Sequence, residues 1–201
     1  MIKVTPDPFT LIAYDAAEIA AIVEDVAALV GIDSSVDIHL EVDEALFAPL
    51  TGHLTDVADG RIELWISGAN FEDSRRPRTF APAQARRDLT IALLRARDRL
   101  SPEFADAPPD GKLTRAERAA WDVSAVGRAG RLDSGGLPVR HQAQLYEYRL
   151  QHGFTDVADA AFERLWDAPS TSFAAIKEIC VETGASDRGP SKVPVDLLRQ
   201  K

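Results

Sequence analysis

Gly60-Arg61-Ile62-Glu63-Leu64-Trp65-Ile66, followed by a change of period over Ala83 to Leu100, decides the fold class of this chain. In the first stretch Ile62, Leu64 and Ile66 fall on one face and Arg61, Glu63 and Trp65 on the other, the period-two pattern of a half-buried strand over Arg61 to Ser67. A large aromatic ring therefore lies on the polar side. In the second, Ala85, Leu89, Ala92, Leu93, Ala96 and Leu100 trace one stripe at helical spacing, with arginines over the rest. Val36 to Val42 repeats the strand pattern, with Val36, Ile38, Leu40 and Val42 alternating with Asp37, His39 and Glu41. Asp15 with Glu18 reads as a capping box opening a helix along Ile19, Ile22, Val23, Val26, Leu29 and Val30, which Gly31 stops. Glu44 to Gly60 reads as irregular, with Phe47, Leu50 and Leu54 tucking down its middle. The front part is thus helix, strand, strand, helix, and the class is α+β.

Behind it the pattern is all helical. Ser101 to Leu113 mixes Pro102, Pro108, Pro109 and Gly111 with acids, a composition suited to a linker. Thr114 with Glu117 forms a second capping box, opening a helix to about Leu132, and Gly127 and Gly130 predict close backbone packing or early fraying near its end. Asp133 to Gly136 is a turn, and Pro138 starts a helix through His152 that pairs, across Gly153, with one capped by Thr155. Ser170 or Thr171 caps a last helix carrying Phe173, Ile176, Ile179 and Cys180. The expected organisation is an α+β domain over 1–100, a linker over 101–113, a helical domain over 114–184 and a loose tail over 185–201.

Composition excludes several classes. At 201 residues and 45% hydrophobic side chains the chain has the material for a core, and no apolar run nears the roughly 20 residues of a membrane span. A start of Met1, Ile2 and Lys3 without signal-peptide order, and a lone Cys180 that allows no intrachain disulfide, give a cytoplasmic expectation. The net charge of −9 disfavours general nucleic-acid or anionic-membrane binding. Charge is unevenly spread: Lys3 and Arg61 are the only cationic side chains through residue 74, whereas Arg75, Arg76, Arg78, Arg86, Arg87, Arg95, Arg97 and Arg99 follow, opposed by Asp88 and Asp98. That run reads first as a solvated partner of the acidic front half, and second as a site for an anionic partner.

The order across Asp15 to Leu100, with Gly60 to Ile66 in place of the strand before the active helix, resembles the small zincin-like proteins. That family implies an H-E-x-x-H helix holding zinc. The corresponding helix here, Ala83 to Leu100, contains neither His nor Glu, so the resemblance implies a catalytically silent relative and carries over no site residue.

The residues themselves offer further candidates. His39, Glu41 and Asp43 share a strand face, and with His53 they form the alternative metal set of a hydrolase with non-standard ligands. His141 and His152 lie about 16 Å apart along one helix, too far for one coordination sphere. Arg128, Arg131 and Arg140 flank the turn and could cradle an anion; Asp133-Ser134-Gly135-Gly136 reads as a turn, not a nucleophile site. Ala143, Tyr146, Leu150 and Phe154 read as a packing stripe, and no phosphate loop, dinucleotide fingerprint or cofactor box occurs. The reading that results is a non-catalytic binding or protein-interaction protein with no cofactor. Its surfaces are Trp65 and the arginines Arg75, Arg76 and Arg78, and its partner is a protein or a small anionic ligand.

Overall fold

The computed structural model describes residues 1–45, 53–73 and 75–185. Along the chain lie β1 (Ile2–Thr5), α1 (Ala16–Val30), β2 (Ile38–Asp43), β3 (His53–Ala58), β4 (Arg61–Ser67), β5 (Glu72–Asp73), β6 (Arg76–Phe80), α2 (Pro82–Arg99), α3 (Arg115–Gly130), α4 (His141–His152), α5 (Asp156–Asp167) and α6 (Phe173–Glu182), so the protein mixes helix and strand as an α+β fold. Two compact units form. Met1–Pro102 with Ala129–Val139 makes the first, and Glu103–Arg128 with the chain from Arg140 onward makes the second.

In the first unit the sheet order is β1-β2-β4-β3, with β1, β2 and β4 parallel and β3 antiparallel at the edge. Ile38, Leu40, Val42, Ile62, Leu64 and Ile66 are at most 3% exposed and face α1 and α2. Thr55, in register with Leu64, donates its hydroxyl to the Ala92 carbonyl of α2, which fixes the covered face of the sheet. Asp15 caps α1 by accepting from the amides of Ala17 and Glu18, and Gly31 ends it in the left-handed region. An aromatic cluster of Phe9, Tyr14, Phe71 and Phe80 closes one end of the unit. Burial, with the Glu72 charge behind it, pushes the Tyr14 hydroxyl well above the usual phenol range.

Three expectations change here. The Glu44 to Gly60 stretch is not irregular throughout: His53–Ala58 is a strand, joined to β4 by Asp59-Gly60 with φ of 53° and 74°, the two-residue turn that matches strand twist. Phe47 and Leu50 lie outside the described residues, while Leu54 is half-buried on the open side of the sheet. Ile2–Thr5 adds a first strand that four residues were too few to announce.

In the second unit the expected linker is part of the core. Phe104 stacks on Trp121 at 4.4 Å, and Leu113 is fully buried, because these side chains bury more apolar surface in the helical core than an exposed linker would allow. Thr114 and Glu117 form the expected reciprocal box, the Thr114 amide donating to Glu117 and the Glu117 amide to Thr114 Oγ1. Thr155 caps α5 and Ser172, not Ser170 or Thr171, caps α6. Arg149 holds Asp159 through both its Nε and Nη2, tying α4 to α5. The inner face of α4 is Leu145, Tyr148 and His152; Tyr146, Leu150 and Phe154, expected to pack, are exposed. Ala185 is buried, and the remainder of the expected tail lies outside the described residues.

Candidate functional site

Because α1 and α2 both cover one face of the sheet, the other face is open among the described residues. Strand register writes its two cross-strand rows. Lys3, His39, Glu63 and Asp56 form one; Thr5, Glu41, Trp65 and Leu54 form the other. Trp65 is half-buried, with exposed Glu41 directly across β2 and Leu54 directly across β3. Residues directly opposite on neighbouring strands are close enough for their side chains to flank such a ring, which leaves part of it to solvent.

The first row is hydrogen-bonded. His39 Nδ1 lies 3.0 Å from Glu63 Oε2 and its Nε2 lies 3.2 Å from Thr5 Oγ1, while Arg61 Nε donates to the second oxygen of Glu63. An ionised carboxylate only accepts, so Nδ1 carries a hydrogen, and in the tautomer with no hydrogen on Nε2 that nitrogen accepts from the Thr5 hydroxyl. Hydroxyl, imidazole and carboxylate thus stand in the order of a nucleophile, its base and the orienter of that base. Sequence reading missed Thr5 and Glu63, since only register reveals that three strands bring them to one imidazole.

The alternative metal set is not assembled as expected. Both nitrogens of His39 face Thr5 and Glu63, Asp43 accepts from the Ala45 amide at 2.9 Å, and Glu41 points to solvent one row away. His53 begins β3 opposite Ile66 and so belongs to the covered face. Among the described residues, no three His, Cys, Asp or Glu side chains come close enough to hold an ion.

The arginine run divides. Arg75, Arg76 and Arg78 are exposed on the β5–β6 hairpin; Arg78, at φ 63°, donates to the Leu11 carbonyl at 2.6 Å. Arg86 pairs with Asp25 at 2.7 Å, Arg97 donates to the Val30 carbonyl and Arg99 lies 3.5 Å from Asp56, so these three bind the acidic front half. Arg95 is fully buried. Arg128 is 5% exposed with its Nε on the Ser124 carbonyl, which removes it as a surface cation. Arg131 and Arg140 are exposed and belong to different units.

In the second unit Cys180 is buried, and burial with the Glu117 charge pushes its thiol up to about 12, far from a thiolate nucleophile. His152 is buried and stacked on Tyr148 at 4.0 Å, its Nε2 donating to the Ala116 carbonyl. His141 packs edge-on to Phe162 and Trp166. Its Nε2 lies 3.1 Å from the exposed Glu163 carboxylate, whereas His152 is enclosed in the helical core.

Among the described residues no helix is long and apolar enough to cross a membrane. Comparison with protein-family models, with curated proteins and with solved structures gives no match.

Proposed function

We propose that the protein is a non-catalytic binding or interaction protein that engages a protein partner through the open face of its N-terminal sheet. Trp65 is the anchor of that surface. The observation that carries this reading is the placement of Trp65, half-buried between Glu41 and Leu54, on the face that neither α1 nor α2 covers. Interface energy concentrates in such aromatic anchors, and flanking polar groups exclude water from them. On the resemblance of the 15–100 stretch to zincin-like proteins the scaffold would be a degenerate one, since the helix Pro82–Arg99 carries neither His nor Glu. A single buried cysteine supports a reducing, cytoplasmic setting. A photoreactive residue in place of Glu41, introduced in the source cell, tests the reading. It predicts a discrete protein adduct, competed by the unmodified chain and not by its Trp65→Ala variant.

A second reading rests on the Thr5–His39–Glu63 order and its distances of 3.2 and 3.0 Å. In it His39 Nε2 takes the Thr5 proton as Oγ1 attacks an activated ester carbonyl, and the proton passes to the departing alcohol. A water deprotonated by the same nitrogen then cleaves the Thr5 acyl ester to release the acid and return the proton to Oγ1. This reading predicts hydrolysis of p-nitrophenyl acetate above the buffer rate that is lost in both Thr5→Val and His39→Gln. Hydrolysis indifferent to both variants removes it, and leaves the interaction reading standing.

A further inference from the structure

The loop between α3 and α4 folds back against α2 within the first unit and encloses a cavity of about 180 Å³. Its wall is made by Arg87 and Thr90 of α2 and by the turn Asp133-Ser134-Gly135-Gly136. At roughly 30 Å³ per liquid water the space holds a small polyatomic ion and a few waters, and is below the size of a nucleotide pocket.

Two glycines bring the turn this close. Gly135 has φ of 66°, and a Cβ on Gly136 would lie 2.7 Å from the backbone nitrogen of Arg87. The Leu137 amide then pins the loop to the Ala83 carbonyl at 2.9 Å.

Arg87 is oriented before any ligand arrives. Its Nε donates to Asp88 Oδ1 at 2.7 Å, and Asp88, 8% exposed, is itself held by Asn70 Nδ2 at 3.0 Å and Gln84 Nε2 at 3.3 Å. Among the described residues the two Nη groups of Arg87 have no acceptor. A guanidinium clamped at Nε offers its Nη groups as a fixed pair of donors, the geometry that fits oxyanions. The amides of Asp133, Ser134 and Gly135 likewise have no acceptor among the described residues, and successive amides in a turn with one left-handed residue form an anion-binding concavity.

We propose that this cavity binds a small oxyanion, either free phosphate or the phosphoryl end of a phosphomonoester, between the Nη groups of Arg87 and the amides of the 133–135 turn. The site is separate from the sheet face and does not depend on it. The Asp133 carboxylate on the wall opposes an anion and sets a discriminating sign: removing its charge tightens binding of an anion and loosens binding of a cation.

The test is titration of the full chain at constant ionic strength with inorganic phosphate and, separately, with phenyl phosphate, followed by amide NMR shifts and calorimetry. Saturable binding of at least one of them is expected, with shifts at Arg87 and residues 133–137. Arg87→Lys, which loses the fork, should weaken it about tenfold or more, and Asp133→Asn should tighten it severalfold. Binding of phenyl phosphate without inorganic phosphate identifies the monoester as the source; the reverse identifies the free ion. The proposal is overturned by the absence of saturation with either, by shifts confined elsewhere, or by tighter binding of a divalent cation than of either anion. Asp133→Asn changes an exposed side chain, so it reads out the site even where Arg87→Lys disturbs Asp88.

Discussion

A Cβ built on Gly127 would lie 2.2 Å from the carbonyl oxygen of Trp166. The obstacle is backbone, and it cannot rotate away as a flexible side chain would. Gly127→Ala is therefore expected to destabilise the second unit by about 1–3 kcal/mol, the usual cost of overpacking, despite the gain in helix propensity. Urea denaturation measures this, and an unchanged midpoint would mean that α3 and the end of α5 do not approach so closely.

Gly60 makes the complementary case. Nothing lies within 4 Å of its added Cβ, yet its φ is 74°, so the cost of Gly60→Ala is conformational alone. We expect a loss of about 1–2 kcal/mol. Gly60→Asn should recover part of it, because Asn tolerates the left-handed region. Equal midpoints for the Ala and Asn variants would argue against the tight β3–β4 turn.

Cys180 gives a pH signature. Its thiol is pushed up to about 12 by burial first and the Glu117 charge second, whereas the unfolded thiol titrates near its ordinary value of 9.0. A group whose folded pKa is raised contributes fully below the unfolded value and loses that contribution as pH climbs toward the folded one. Stability should therefore fall between about pH 9 and 12, and less steeply in Cys180→Ala once the lower baseline of that variant is subtracted. The native thiol should also resist a disulfide reagent at pH 8 that labels it promptly in denaturant.

The hairpin arginines separate the anionic-partner reading from the sheet-face reading. If the partner docks on Trp65, reversing exposed Arg75 and Arg76 to Glu leaves affinity within about twofold and the salt dependence shallow. A steep salt slope abolished by those reversals would move the interface to the hairpin.

Local chemistry was legible in the sequence where it acts within a few residues. The Thr114–Glu117 box, the Asp15 cap, the Thr155 cap and the alternation of β2 and β4 all appear as read. Gly127 and Gly130 pointed to close packing, and each meets a neighbour within 3 Å of an added Cβ. What failed depends on distant partners. The Asp59-Gly60 dipeptide is itself a hairpin signal, but the edge strand that places Leu54 beside Trp65 shows only in its pairing with β4. Thr5, His39 and Glu63 meet only through register between three strands, which period-two alternation does not fix. Tyr146 and Leu150 share a helical stripe, but the neighbouring one, Leu145 and Tyr148, is the one that packs, and spacing alone does not choose between adjacent stripes. The Arg87 cavity needs a loop more than forty residues later to fold back, guided by glycines that read simply as a turn.

The proposed function turns on Trp65 as the anchor of a binding surface on the open sheet face. Photo-crosslinking from position 41, beside Trp65, with competition by unmodified and Trp65→Ala protein tests it most directly. One discrete protein adduct is expected, which the unmodified chain suppresses and the folded Trp65→Ala chain leaves intact. Equal suppression by both chains, or no adduct beyond that from a control position at Glu24 on α1, would contradict it.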